Sequence, residues 1–186
     1  MQSRQKLVYI LPEYREGTDT HLYHNYEFLE RAKDIFDIFL IIEKGEKPQS
    51  FVHAYRMVFH FAPARMLELF LVLFFLRIHG YKTFWTHYSF YGGIIAPLFG
   101  RSFYWNCGMP WLYRRGVLEE KVFRAALKRS ILVTGTAGMK RQYVAQYKLS
   151  PDRVRIVPNW ISRIRFEEWR EKRSEARKRL QIEDDT

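Results

Sequence analysis

Three short stretches of the sequence gather residues able to do chemistry. In the first, His87, Tyr88 and Ser89 end the apolar run KTFWTH and lead to Gly92-Gly93 at the opening of a helical pattern. An imidazole there titrates near neutrality or hydrogen-bonds a sugar hydroxyl, unless it is simply a core histidine. In the second, Asn106, Cys107 and Gly108 run into Met109-Pro110-Trp111; the indole can stack on a sugar ring or on lipid, or cap the core. In the third, Gly17, Thr18 and Asp19 stand just ahead of a helix. The glycine there either lets backbone approach a phosphate or makes an ordinary turn.

Other chemistries lack their residues. His21 and His24 lie three apart without the carboxylate spacing of a His-Glu-x-x-His site, so no metal site is expected. Neither Gly-x-Gly-x-x-Gly nor a P-loop occurs. Cys107 is the single cysteine, which excludes an internal disulfide and fits a reducing, cytoplasmic setting; no histidine beside it in sequence activates it as a nucleophile.

The elements that position these stretches follow from hydrophobic period. Six short apolar runs read as strands: KLVYIL, IFDIFLII, KTFWTH, SFYWN, SILVTG and VRIVP. They alternate with helical patterns, which predicts a parallel sheet joined by crossover helices. Leu22, Tyr26 and Leu29 form one helix face; Leu118, Val122, Ala125 and Ala126 form another; Met139, Tyr143 and Tyr147 form a third. The fold class is α/β, a Rossmann-like doubly wound parallel sheet in a single domain, as suits 186 residues. In such sheets ligands bind beyond the carboxyl ends of the strands, where the three polar stretches fall.

From Ala64 to His79 the apolar residues go all the way round a helix that Pro63 can open. It is therefore a central helix covered by its neighbours or one that touches lipid, too short in either case to span a bilayer. Net charge is +11. Eight Lys or Arg against four Glu give +4 between Arg163 and Arg179, leaving +7 for the rest, so the body is itself basic and attracts phosphates or an anionic membrane. Nucleic acid is not an expected partner, because no reader motif accompanies the charge. The basic start MQSRQK precedes an apolar run of only Leu7 to Leu11, which indicates no export signal. After Pro158-Asn159 the composition turns highly charged, dividing residues 1–162 from a charged helical linker over 163–186.

The stretch SILVTGTAGMKRQYVAQYKLSPDRVRIVPNWIS resembles the last strand-helix-strand of the N-terminal domain in family-four retaining glycosyltransferases of the GT-B architecture. The matching positions are the strand Ile131 to Val133, Thr134 or Thr136, Tyr147, Pro151, the strand Val154 to Val157, and Pro158-Asn159. WTHYSFYGG resembles the family's strand end with a histidine before a helix, and the likeness extends over about Lys6 to Ser162.

The resemblance implies one half of a GT-B fold, a hexosyltransferase-like enzyme incomplete as this chain. It implies a nucleotide-sugar donor as substrate, no tightly bound cofactor, no obligatory metal, and a lipid-linked or glycan acceptor held largely by this domain. His87 and Asn106 are then the candidate catalytic residues. The cleft between two domains would draw on Gly17, Thr18, Asp19, Ser89, Gly92, Gly93, Cys107, Gly108, Trp111, Thr134, Thr136 and Asn159. A C-terminal donor domain or separately encoded partner would supply the rest, at the inner face of the membrane if the protein is peripheral. The alternative is a noncatalytic, membrane-associated subunit of a two-polypeptide glycosyltransferase. Two positions depart from the family: Gly17 stands where paired glycines are usual, and Asn106-Cys107 where a histidine often follows the fourth strand. Glu167 and Glu175 have the family's glutamate spacing but sit in the linker.

Overall fold

A computed structural model describes residues 4–15, 23–113, 115–158, 170, 172, 173 and 175–180. Seven parallel strands form one sheet: β1 (Gln5–Leu11), β2 (Phe36–Ile42), β3 (Ala54–Arg56), β4 (Thr83–His87), β5 (Arg101–Trp105), β6 (Ile131–Thr134) and β7 (Val154–Ile156). Their order is β3-β2-β1-β4-β5-β6-β7. The chain thus winds outward one way from β1 and then the other way from β4, and the Rossmann-like, doubly wound reading holds. Every expected strand is present. β3 is the addition: three residues pair with Leu40 to Ile42 at the edge, too few to leave a periodic signal.

β1 is central because both its faces are apolar. Val8 and Ile10 belong to one core cluster, Leu7, Tyr9 and Leu11 to the other. Alternation along the strand sends successive side chains to opposite faces. On one face α1 (Tyr23–Ala32) brings Leu29 and Ala32 down onto β1 and β2. On the other lie α2 (Ala62–Ile78), α3 (Phe90–Ile95), α4 (Val117–Arg129) and α5 (Ala137–Tyr147), whose buried residues share the larger cluster. Tyr143 and Tyr147 of α5 are buried and Met139 packs beside them, as the spacing requires.

One helix reading is corrected, and of the two left open for α2 the fully covered one is set aside. In α4 the buried face is Phe123, Ala126 and Leu127, whereas Leu118 is 76% exposed and Val122 and Ala125 are also open. Phe123 outweighs the aliphatic stripe because its ring fills the space between Phe90, Tyr104 and Tyr147. α2 is likewise not covered all round: Leu69, Leu73 and Leu76 face the sheet, while Leu67, Phe70, Leu71, Phe74, Phe75 and Ile78 are exposed.

The turn that follows α2 passes through Gly80, whose φ of +89° is open to glycine and strained for other residues. The Gly80 and Tyr81 amides donate back to Arg77 and Leu76, and buried Tyr81 closes the turn against the core. The Pro63 reading holds, since a proline occupies the first turn. Within the charged segment, described residues 175–179 are helical and largely exposed. Phe123→Ala should cost about 3–5 kcal/mol by cavity formation. Leu118→Ala should cost under about 0.5 kcal/mol. Urea unfolding of the two variants checks both values, and equal costs would restore the aliphatic stripe as the packing face.

Candidate functional site

The winding reverses between β1 and β4, and a cavity of about 480 Å³ opens beyond their carboxyl ends. Pro12 after β1, Tyr88 after β4 and Asn106 after β5 form its floor, with Phe90, Tyr113 and Glu119 around it. A groove of similar size, about 440 Å³, lies near the start of β2 between Lys33, Phe36 and His53. It is at the amino edge of the sheet, away from the ligand crevice of doubly wound folds.

β4 passes into α3 across a single residue, Tyr88, because His87 ends the strand and Ser89 caps the helix. Tyr88 accordingly bends into the left-handed region, with φ of 52°, costly for a bulky residue. Its amide still donates to the Trp105 carbonyl at 3.0 Å, and its phenol oxygen accepts from the Cys107 amide at 3.2 Å. Burial, then the neighbouring Cys107 side chain, holds the Tyr88 phenol above its ordinary range. Burial likewise pushes Tyr104 up to about 12. Both are therefore neutral phenols at physiological pH.

The loop after β5 is knit by its own side chains. Asn106 Nδ2 donates to Tyr104 Oη at 3.0 Å, while Asn106 Oδ1 accepts from the Gly108 amide at 2.7 Å. Tyr143 donates to the Gly108 carbonyl at 3.0 Å, and the Trp105 indole donates to Cys107 Sγ at 3.1 Å. Asn106 thus lines the cavity with both ends of its amide engaged, and it orients the loop. Trp111 stands edge-on to Tyr143, ring centres 5.1 Å apart, so its indole caps the core.

Ser89 joins two elements: it accepts from the Gly92 amide at 2.8 Å and donates to Glu43, just beyond β2. The second Glu43 oxygen lies 4.0 Å from Arg65 of α2. Burial raises the Glu43 carboxyl above its ordinary value of 4.5, against the opposing pull of Ser89 and Arg65. Gly92 and Gly93 sit inside α3 and do not open it. A Cβ on Gly92 would lie 2.8 Å from Thr86 Cγ2, and one on Gly93 would lie 2.8 Å from the Tyr104 ring. These glycines pack against the sheet and do not themselves line the cavity, whereas the Tyr104 ring beneath Gly93 does.

His87 is fully enclosed on the α1 face, its Nδ1 3.1 Å from Tyr9 Oη and its ring against Trp105. It does not line the cavity. Thr134 is buried at the end of β6, its hydroxyl without a hydrogen-bond partner among the described residues. Thr136 caps α5 by accepting from the Met139 amide at 3.1 Å. Gly17, Thr18, Asp19 and Asn159 lie outside the described residues. Among those residues no three His, Cys, Asp or Glu side chains gather as metal ligands.

Four cavity or support residues were not evident from sequence. Arg115 donates to the Pro110 carbonyl at 2.9 Å and to Glu120 at 3.1 Å while lying over Phe90 and Phe123, so its charge is balanced beside the cavity. Tyr113 and Glu119 flank the opening. Glu43 sits directly after a strand, and the strand-end rule applied to β2 would have found it. The walls offer aromatic faces, phenols, an amide, a carboxylate and the paired Arg115 guanidinium, which suit a ring bearing hydroxyls.

No protein-family model matches the sequence, and no curated protein matches it. Among solved structures, a glycosyltransferase from Rickettsia africae ESF-5 superposes with a TM-score of 0.67 at 12% identity, covering 98% of this chain and 51% of the other. A UDP-GlcNAc 2-epimerase from Methanocaldococcus jannaschii superposes with a TM-score of 0.59 at 13% identity, covering 83% of this chain and 46% of the other. The chain therefore spans about half the length of either structure. At these identities the likeness is one of fold, the GT-B-like fold that the sequence resemblance implies.

The buried Glu43 carboxyl gives a pH test. Because the folded chain holds this proton more tightly than the unfolded chain, stability is fully present below 4.5 and declines as pH rises through the folded value. The unfolding free energy of wild type relative to Glu43→Gln should therefore fall between acid and neutral pH in parallel urea titrations. A difference that is flat or rises with pH would refute the raised pKa.

Proposed function

We propose that this domain is the acceptor-side, N-terminal half of a family-four-like GT-B glycosyltransferase, transferring a hexose from a nucleotide-sugar to a lipid-linked or glycan acceptor. The observation that carries the reading is the cavity at the β1/β4 reversal, walled by Tyr88, Phe90, Tyr113, Asn106 and Glu119, in a domain that overlays half of a glycosyltransferase. The Ile131 to Asn159 motif supports the same reading from sequence, with Thr134 or Thr136 at the motif's hydroxyl position and Thr136 capping α5.

On this reading the acceptor ring lies over the phenols, with Asn106 holding the loop that shapes the floor. His87 acts from beneath as a positioning residue: its contacts with Tyr9 and Trp105 fix the end of β4, from which Tyr88 projects. Phosphate contacts to the donor come chiefly from a second domain, in the same or another polypeptide, and transfer takes place between the two without a metal. The cavity presents phenols, a carboxylate and one guanidinium, Arg115, which is already paired with Glu120, so it favours a neutral sugar over a diphosphate.

Two measurements on the purified chain test this. Titration with an oligosaccharide acceptor should shift the resonances of Tyr88 and Tyr113, while a nucleotide-sugar shifts them at least about tenfold more weakly. Tighter binding of the nucleotide-sugar would assign the cavity to the donor. Incubation with both substrates should give no transfer, and turnover with this chain as sole protein would overturn its role as one half of the site.

A further inference from the structure

We propose that the outward face of α2 docks this domain onto an anionic lipid surface. The helix has 17 residues, and its two faces are both apolar. The inner one is spent on the sheet through Leu69, Leu73 and Leu76. The outer one leaves Leu67, Phe70, Leu71, Phe74, Phe75 and Ile78 between 40% and 66% exposed, and no described element covers it. Phe70 meets Phe99 edge-on at 5.0 Å, which extends the surface to exposed Leu98, and Phe59 and Phe61 extend it at the other end. A contiguous aromatic and aliphatic face of this kind marks a contact surface.

Charge selects the occupant. Between Arg56 and Arg101 the one acidic residue is Glu68. It is turned inward, where it accepts from the Val58 and Phe59 amides and the Tyr55 hydroxyl. The exposed charges on and beside the helix in this stretch are cations, Arg77 on α2 itself and Lys82 just after it. An isologous pair of copies laid parallel would bring these cations against one another. An anionic leaflet satisfies both the apolar face and its rim. Depth follows from length: 17 residues make a helix of about 25 Å, short of a hydrocarbon core of ~30 Å, and no described helix is long and apolar enough to cross a membrane. α2 therefore lies in the plane of the interface.

The site does not depend on the sugar-transfer reading, and the test leaves the cleft intact. Flotation with vesicles of phosphatidylcholine alone is compared with phosphatidylcholine mixed with phosphatidylglycerol. Wild type should float with the mixed vesicles, weaken as salt rises, and float poorly with the neutral ones. Leu71→Glu with Phe74→Glu should lower binding to mixed vesicles at least about tenfold. Arg77→Glu with Lys82→Glu should remove the preference for the anionic lipid. All four positions are exposed, and circular dichroism confirms the fold; should the glutamate pair disturb it, Phe74→Ser carries the same test. Equal flotation with the two vesicle types, or flotation with neither, overturns the proposal. So does a dimer in light scattering that Leu71→Glu dissolves and lipid leaves intact.

Discussion

The carboxyl edge keeps its shape because α3 lies almost in contact with the strands beneath it. Gly92 rests on Thr86 and Gly93 on the Tyr104 ring, and neither place has room for a methyl group. That closeness fixes the rest of the edge. Ser89 must cap a helix one residue after β4 ends, so Tyr88 is left to reverse the chain in a single left-handed step. Tyr104, pinned under α3, in turn presents the hydroxyl that holds the Asn106 amide. The cavity floor is a consequence of two absent side chains.

The same edge is tied to α2 by charge. Arg65, Glu68 and Glu43 are all buried, and each would be costly there alone. Arg65 donates to the Phe59 and His60 carbonyls, Glu68 gathers the Val58 and Phe59 amides, and Glu43 meets Arg65 from the end of β2. These groups satisfy backbone that no strand or helix ladder serves, where the chain leaves β3 and turns into α2. The start of α2 is thereby fixed to the end of β2, while most of its length remains open on the outside.

Much of this was legible in sequence because buried parallel strands are continuous apolar runs, and such runs carry their own signal. Alternation of strand and helix set the fold class, and the strand-end rule led to Tyr88, Ser89 and Asn106. What periodicity could not weigh was competition among apolar residues. In α4 one phenylalanine wins the core over Leu118 and Val122, since ring volume decides the packing and spacing alone does not. In α2 a helix apolar all round cannot state which side meets protein. The paired glycines read as the opening of a helix for a related reason: a glycine reports that backbone comes close to something, and the partner was the sheet. His87 illustrates the remaining limit. Strand alternation alone decides which face of the sheet it joins, and on the α1 face it packs beneath Tyr88 without reaching the opening.

The strand order has a consequence for synthesis. β1 pairs with β2 nearby in sequence, but its other edge waits for β4, where Leu7 meets Thr83. Until the ribosome has released that far strand, one side of β1 presents unpaired amides and carbonyls, and the emerging α2 has no completed sheet to receive Leu69, Leu73 and Leu76. Long-range parallel pairing of this sort is slow and leaves sticky surface in the open. The nascent chain therefore passes through a stage in which both faces of its most apolar helix are bare, a natural point for chaperone capture.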